Sequence, residues 1–391
     1  MDATFSLDGL PATVTPVPAV PDPTTRGDTP PRPALSVIVP TFNEAGNIER
    51  TVGRILAATA PIPVEIVVVD DDSPDGTAEI ARRLGETDPR VRTLRRIGRR
   101  GLSGACIEGM LAAAAPVVAV IDADLQHDET MLPRMYAAVE GGIADLAVGT
   151  RFAEGGNASG GLSRFREVAS RSANLLTRLL LGVRLSDPMS GYFMLRRETF
   201  EELAPRLSPH GFKILADIVA SARGRLAVAE FPYVFRERVA GESKLDARVG
   251  LEFLALVASK LTGGLLSVRF ILFGMVGASG IAVHMTALWL GLVAGGAFAL
   301  AQTAATLVAM TWNFFLNNWL TFRDRQLKGG RALLGLLSFY AVCGVGLVAN
   351  VGVADALFRL DQTWWLAGLA GAVVGAVWNY AASAVVTWRA R

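Results

Sequence analysis

The chain has 391 residues, with 38 Lys and Arg against 36 Asp and Glu, for a formal net charge of +2. That length exceeds one ordinary domain, and near-neutrality removes any global electrostatic case for nucleic acid as a partner. Hydrophobic residues make up 51% of the chain and are in excess after residue 265, so a membrane-embedded part is expected beside a soluble one. Cys106 and Cys343 lie far apart in helical contexts, which predicts neither a disulfide nor a zinc site. Met1-Asp2 opens without a basic or apolar leader, so no signal peptide is expected.

Residues 1–33 hold eight of the nineteen prolines and few large apolar side chains, the composition of a disordered tail. Residues 35–40 then read as a first strand, and a helix is expected over 47–60. A second strand, 64–69, runs into Asp70-Asp71-Asp72-Ser73-Pro74-Asp75-Gly76-Thr77, where Ser73 or Asp75 can cap a helix over 77–84. A strand over 91–94 precedes a Gly-rich turn, 98–105, that opens another helix. This turn lacks the GxGxxG fingerprint and does not follow the first strand, and no Walker motif occurs, which argues against a nicotinamide enzyme or a P-loop ATPase.

Next comes Val117-Val118-Ala119-Val120-Ile121, ending abruptly in Asp122-Ala123-Asp124, with Gln126 two residues on. Such an apolar run suits a strand covered on both faces, and ligands gather beyond the carboxyl ends of strands in open α/β sheets. Two carboxylates and an amide oxygen at alternate positions offer hard oxygen ligands to Mg²⁺ or Mn²⁺; a polar loop after a buried strand is the plainer alternative. Further strands are expected over 142–148, 192–196 and 231–236, the last an edge strand broken by Pro232. The β-α-β-α alternation predicts a doubly wound parallel α/β sheet.

Within 163–181, Arg164, Arg171 and Arg178 recur every seven residues on one face of a helix that could lie on an anionic membrane surface. A largely apolar amphipathic helix is expected over 246–268. No charged residue occurs from Phe270 to Phe322, room for two spans of roughly 20 residues each. Two further apolar runs make four spans, about 270–291, 298–322, 332–354 and 363–388. The basic loop 323–331 and the basic carboxyl terminus place both ends and the amino-terminal domain in the cytoplasm.

Six segments in order carry a resemblance: VPTFNE (39–44), VDDDSPDGT (69–77), DADLQH (122–127), GTR (149–151), DPMSGYF (187–193) and RVAGESKL (238–245). Over 35–245 the chain resembles the inverting family-2 glycosyltransferases, above all the dolichol- and polyprenyl-phosphate mannose synthases; its four-span tail is similar to the GtrA-like membrane domain. The resemblance implies a GT-A domain (Rossmann-like, with a mixed, mostly parallel sheet) over 34–245, an interface helix over 246–268 and an all-α transmembrane domain over 269–391. Pro40, Phe42, Glu44, Val69 and Asp71 would contact the nucleoside; Asp122, Asp124 and Gln126 would hold the metal, with the Ala123 backbone nearby. Arg151, Lys213, Arg238 and Lys244 would handle phosphate, and Asp124, Arg151 and Arg238 would carry the chemistry.

The implied reaction moves mannose from GDP-mannose to a polyprenyl or dolichol phosphate at the cytoplasmic face of the cell membrane, with membrane lipid as a further partner and a homo-oligomer left open. UDP-glucose as donor, or a lipid-linked-sugar flippase or anchor role, are the alternatives. A processive polysaccharide synthase is disfavoured because the chain has no QxxRW motif. The chemistry also stands on its own terms: a phosphate acceptor is already ionised near pH 7, its second pKa lying near about 6, so no general base is required. Asp217, where hydroxyl-using relatives often place a base, is therefore expected to be structural or positional.

Overall fold

The computed structural model describes residues 32–99, 101–152, 185–209, 213–236, 247–263, 265–360 and 364–389. The expected basic helix over 163–181 and all but the last two residues of the expected tail lie outside them.

Seven strands form one sheet: β1 Leu35–Thr41, β2 Val64–Asp70, β3 Val91–Arg95, β4 Val117–Val120, β5 Leu146–Thr150, β6 Phe193–Arg196 and β7 Val228–Pro232. Their order is β3-β2-β1-β4-β6-β5-β7. β1 pairs in parallel with β2 and β4, β2 with β3, and β5 with β7, while β6 runs antiparallel between β4 and β5. The sheet is therefore mixed and mostly parallel.

Helices α1 Ile48–Ala58, α2 Thr77–Thr87, α3 Leu102–Leu111, α4 Leu132–Glu140, α5 Arg197–Leu203 and α6 Ile214–Ala222 cover it. The two-residue period of a strand divides its side chains between two cores. Val37, Val39, Ile66, Val68 and Ala119 pack with Ile48, Val52, Ile55 and Met135 on one face. Ile38, Val67, Val69, Val118 and Val120 pack with Cys106, Met110, Phe200 and Ile218 on the other. Gly109 lets α3 approach closely, since a Cβ there would meet Val69 Cγ2 at 2.8 Å.

Several expected boundaries shift. β5 begins at Leu146 rather than 142, because Gly142 at φ +71° and the residues after it turn out of α4. β7 ends at Pro232 rather than beginning beside it; proline has no N–H for the ladder, and the edge position tolerates that loss. The interface helix α7 spans Ala247–Leu261, short of the expected 268. Gly263 at φ +67° stops it, and Ser267 accepts from Phe270 N to cap the next helix.

That next helix is α8, Val268–Val293, followed by α9 Phe298–Trp319, α10 Gly330–Arg359 and α11 Trp364–Ala382. They fall on the four expected apolar runs. Among the described residues, Val268–Val293 and Gly330–Ala349 are long and apolar enough to cross a membrane.

Candidate active site

The loops that follow β1, β2 and β4 share one edge of the sheet because those three parallel strands are neighbours. After β1, Asn43 sits at φ +59° with its N–H on Ser73 Oγ at 3.0 Å, and Glu44 N donates to Thr77 Oγ1 at 3.0 Å. Glu44 also accepts from Asn47 Nδ2 at 2.8 Å, leaving its side chain and Phe42 half-buried at the rim. Pro40 and Val69 are register partners in adjacent strands, so both expected nucleoside contacts lie at one depth.

The aspartates at the end of β2 divide their work. Buried Asp70 accepts from Thr41 Oγ1, Ser73 N and Ser73 Oγ, which ties the two loops together. Burial pushes the Asp75 carboxyl up, but the bonds it accepts from Thr77 Oγ1, Ala45 N and Thr77 N together outweigh that and hold it below the usual range. Ser73 therefore serves the neighbouring loop rather than the helix end. Asp71 is buried, accepts from Gly101 N at 2.6 Å and pairs with the Arg96 guanidinium. Burial pushes its carboxyl up, against the lowering pull of Gly101 and Arg96. Arg96 is a residue that sequence reasoning missed; its one signal is a cation directly after β3.

At the end of β4 the structure brings Asp122, Ala123, Asp124 and Gln126 together. Leu125 at φ +61° turns the chain so that Gln126 N donates to Asp124 Oδ1 at 3.2 Å. Gln126 then pairs with the segment after β7: its Nε2 donates to Arg236 O at 3.0 Å, and Arg236 N donates to Gln126 O at 2.9 Å. Donation by Nε2 fixes which end of the amide carries its oxygen. The Ala123 carbonyl accepts from Thr51 Oγ1 at 2.9 Å. Asp124 and Gln126 are buried, while Asp122 keeps 33% of its side chain exposed.

His127 was missed as a site residue. It is buried, with Nδ1 2.6 Å from the Tyr233 hydroxyl and Nε2 3.4 Å from Asp122 Oδ2. Tyr192, Tyr233 and Phe235 surround its ring at centroid distances of 5.4–5.6 Å. Gly191 completes the packing, since a Cβ there would meet the Asp122 carboxylate carbon at 2.7 Å.

Arg151, at the end of β5, forms a two-pronged pair with fully buried Asp187: Nε to Oδ2 at 2.7 Å and the guanidinium NH₂ to Oδ1 at 2.9 Å. Burial pulls its pKa down, but Asp187 more than compensates and holds it above the ordinary value. Lys213, the residue before α6, feels Arg151, Asp187 and Asp122. Burial, reinforced by Arg151, lowers its pKa to about 8. A lysine drawn down by burial and a neighbouring cation is a common signature of a functional site. Arg238 and Lys244 lie outside the described residues. Cys106 is buried and its thiol is pushed far up by that burial; neither cysteine is in a disulfide.

Residues 36–204 match Glycosyl transferase family 2, and residues 272–388 match GtrA/DPMS, transmembrane domain. A dolichol-phosphate mannosyltransferase of Pyrococcus furiosus is 36% identical over 357 residues, covering 90% of this chain and 99% of the relative. The chain belongs to the dolichol-phosphate mannosyltransferase family. It is a glycosyltransferase carrying a GtrA/DPMS transmembrane domain. Another relative, the polyprenol monophosphomannose synthase of Mycolicibacterium smegmatis, is 38% identical over 54% of this chain and 80% of its own. Glucosyl-3-phosphoglycerate synthase from Mycobacterium tuberculosis, solved with Mg²⁺ and uridine diphosphate, is 22% identical, with a TM-score of 0.45 over 59% of this chain and 80% of that one.

Proposed function

We propose that this mannosyltransferase-family chain moves mannose from GDP-mannose to a polyprenyl phosphate with inversion at the anomeric carbon. The observation that carries the reading is the convergence of Asp122 and Asp124 with Lys213 and the Arg151–Asp187 pair at one edge of the sheet. A nucleoside diphosphate leaving a sugar gains negative charge, and cations held in place beforehand stabilise it where it forms.

Asp122, Asp124 and Gln126 would hold a divalent cation. Their fit rests on hard oxygen donors, on Gln126 having its amide nitrogen committed to Arg236 O, and on Gly191, whose lack of a Cβ makes room for the Asp122 carboxylate. Such an ion supplies charge neutralisation at the leaving diphosphate. His127, fixed by the Tyr233 hydroxyl, orients the Asp122 carboxylate. Asp187 holds the Arg151 guanidinium at the site, and Lys213 adds a point charge beside it.

The acceptor needs no deprotonation, because a phosphate monoester is ionised near pH 7. Asp217 fits that reading: it is paired with Lys260 and accepts from Ser208 N at 2.7 Å, an ion-paired anchor rather than a base. The basic loop after α9 supports a four-span domain with the catalytic part on the cytoplasmic side.

Membranes containing the protein, labelled GDP-mannose or UDP-glucose, polyprenyl phosphate and Mn²⁺ or Mg²⁺ test the reading. Label entering the lipid phase from GDP-mannose alone, and lost with EDTA or Asp124→Ala, supports it. Transfer from UDP-glucose replaces the donor. Absence of transfer from either donor sinks the reading and favours a flippase or anchor.

A further inference from the structure

The interface helix α7 presents different residues to its two neighbours. Phe253, Val257 and Lys260 stand at i, i+4 and i+7, which places them on one face. Phe253 and Val257 are buried against Met189 and Ala216. Met189 belongs to the turn that holds Asp187 against Arg151 and Gly191 against Asp122. Ala216 lies on α6, in the turn that begins at Lys213, whose carbonyl accepts from Asp217 N at 3.1 Å.

Lys260 completes that face. Its ammonium pairs with Asp217 and donates to Arg206 O and Ser221 Oγ, each at 2.9 Å, so all three of its protons are used. The Asp217 carboxylate is 2% exposed and also accepts from Ser208 N and Ser221 Oγ. A buried ion pair satisfied on every side adds little net stability, because desolvation offsets the attraction. What it does fix is geometry.

The adjacent face looks the other way. Ala255 and Leu256 pack with Val268, Leu272 and Val276 of α8 and with Leu320 beyond α9. Glu252 pairs with Arg323 at 3.3 Å, and Ser259 Oγ donates to Leu266 O at 2.6 Å. The helix therefore touches the membrane domain on one side and, on the other, the two pieces of backbone that carry Asp187 and Lys213.

We propose that Lys260 and Asp217 are positioning residues for the transfer reaction: through them α7 sets the Met189 turn and the start of α6, and with those the cations that meet the substrate phosphates. The proposal rests on the transfer reading above and deepens it. Neither side chain touches substrate; both act through Lys213 and the Arg151–Asp187 pair. In consequence the acceptor's environment and the cation site share one mechanical link, with α8 at its far end.

The test uses the full chain in lipid nanodiscs, comparing wild type with Lys260→Met, Lys260→Arg and the charge-free double variant Asp217→Asn/Lys260→Met. Three quantities are measured: Kd for GDP-mannose, kcat for transfer to polyprenyl phosphate, and hydrogen–deuterium exchange in residues 185–196 and 213–222. Loss of about an ångström of alignment predicts a fall in kcat of about 100-fold in Lys260→Met. Kd is expected to stay within about twofold, the split that separates alignment from binding. Lys260→Arg is expected to recover kcat to within about threefold, since the charge and at least three N–H donors are kept.

Exchange in both segments is expected to rise in Lys260→Met. Unchanged kcat in a folded Lys260→Met protein overturns the proposal. So does a parallel loss of Kd and kcat that Lys260→Arg does not repair, which is the mark of a merely structural pair. If Lys260→Met does not fold, the double variant, which leaves no uncompensated buried charge, is read by the same criteria. If wild type transfers no mannose, the transfer reading fails by itself; exchange unchanged in both segments then overturns the link, and raised exchange supports it.

Discussion

The sheet domain and the helical domain obey opposite rules of burial. In the first, β1, β2, β4 and β5 are covered on both faces and a set of polar groups gathers at one edge, where Asp71 and Asp187 are each matched to a donor or a cation. In the second, large apolar side chains face outward: Trp289, Leu300, Leu347 and Val348 are each more than 60% exposed. Its polar groups collect instead where the helices meet the basic loop. Arg269 pairs with Asp324 at 2.9 Å, Asn318 accepts from Leu327 N and from the Trp388 indole, and Phe322 stacks on Trp388 at 4.3 Å. Between the helices, Gly280 abuts Asn313 and Gly346 abuts Asn379, close approaches suited to a medium that supplies no hydrophobic drive. The contrast shows one hydrophobic composition serving two solvents, water for the sheet and lipid for the outer faces of the helices.

Substitutions can break that division. Asp124→Ala removes a proposed metal ligand from the sheet edge and is expected to lower transfer about 1000-fold. The unfolding midpoint in detergent, measured alongside, should move little if the helices stand apart from that edge. Gly191→Ala drives a methyl group into the Asp122 carboxylate and is expected to cost about 100-fold in kcat by misplacing it. A change confined to KM would count against that account.

In the other region, Trp388→Phe should lower stability by about 2 kcal/mol through lost volume and the lost indole bond to Asn318. GDP-mannose binding at the sheet edge is expected to survive, and its loss would show that the approach of Arg323 to Gly101 couples the two regions.

The mildest effect is one of pH. Lys213 is charged below about 8 and neutral above it, so its attraction for phosphate is present at lower pH and fades as pH rises. The profile of kcat/KM should therefore fall about tenfold per unit above that point. Bound diphosphate favours the ammonium, which moves the limb seen in kcat higher. Lys213→Arg should shift both limbs upward, and an unchanged limb would assign the titration elsewhere.

Much of this was legible in the chain because local chemistry and long-range order agree. The apolar runs of β1, β2 and β4 are strands buried on both faces, and each ends in the polar cluster that marked it. Four uncharged runs gave four helices. Other features depend on partners that no local pattern announces. Asp71 reads as a nucleoside contact, yet its bonds to Arg96 and Gly101 come from the residue after β3 and from a turn, 25 and 30 residues away. His127 reads as the tail of a motif, and only the fold brings Tyr233 to it from 106 residues on. The early stop of α7 turns on one glycine at positive φ within an otherwise continuous apolar stretch.

The reversed strand β6 has a topological consequence. Because it runs against its neighbours, the chain that leaves β5 and the chain that enters β6 meet at the same end. Thr150 Oγ1 lies 2.5 Å from Ser186 Oγ there, and Arg151 grips Asp187. Two strand ends brought together by the reversal are thus clasped by side chains rather than by ladder bonds, and the sheet itself sets the grip of Asp187 that orients the Arg151 guanidinium.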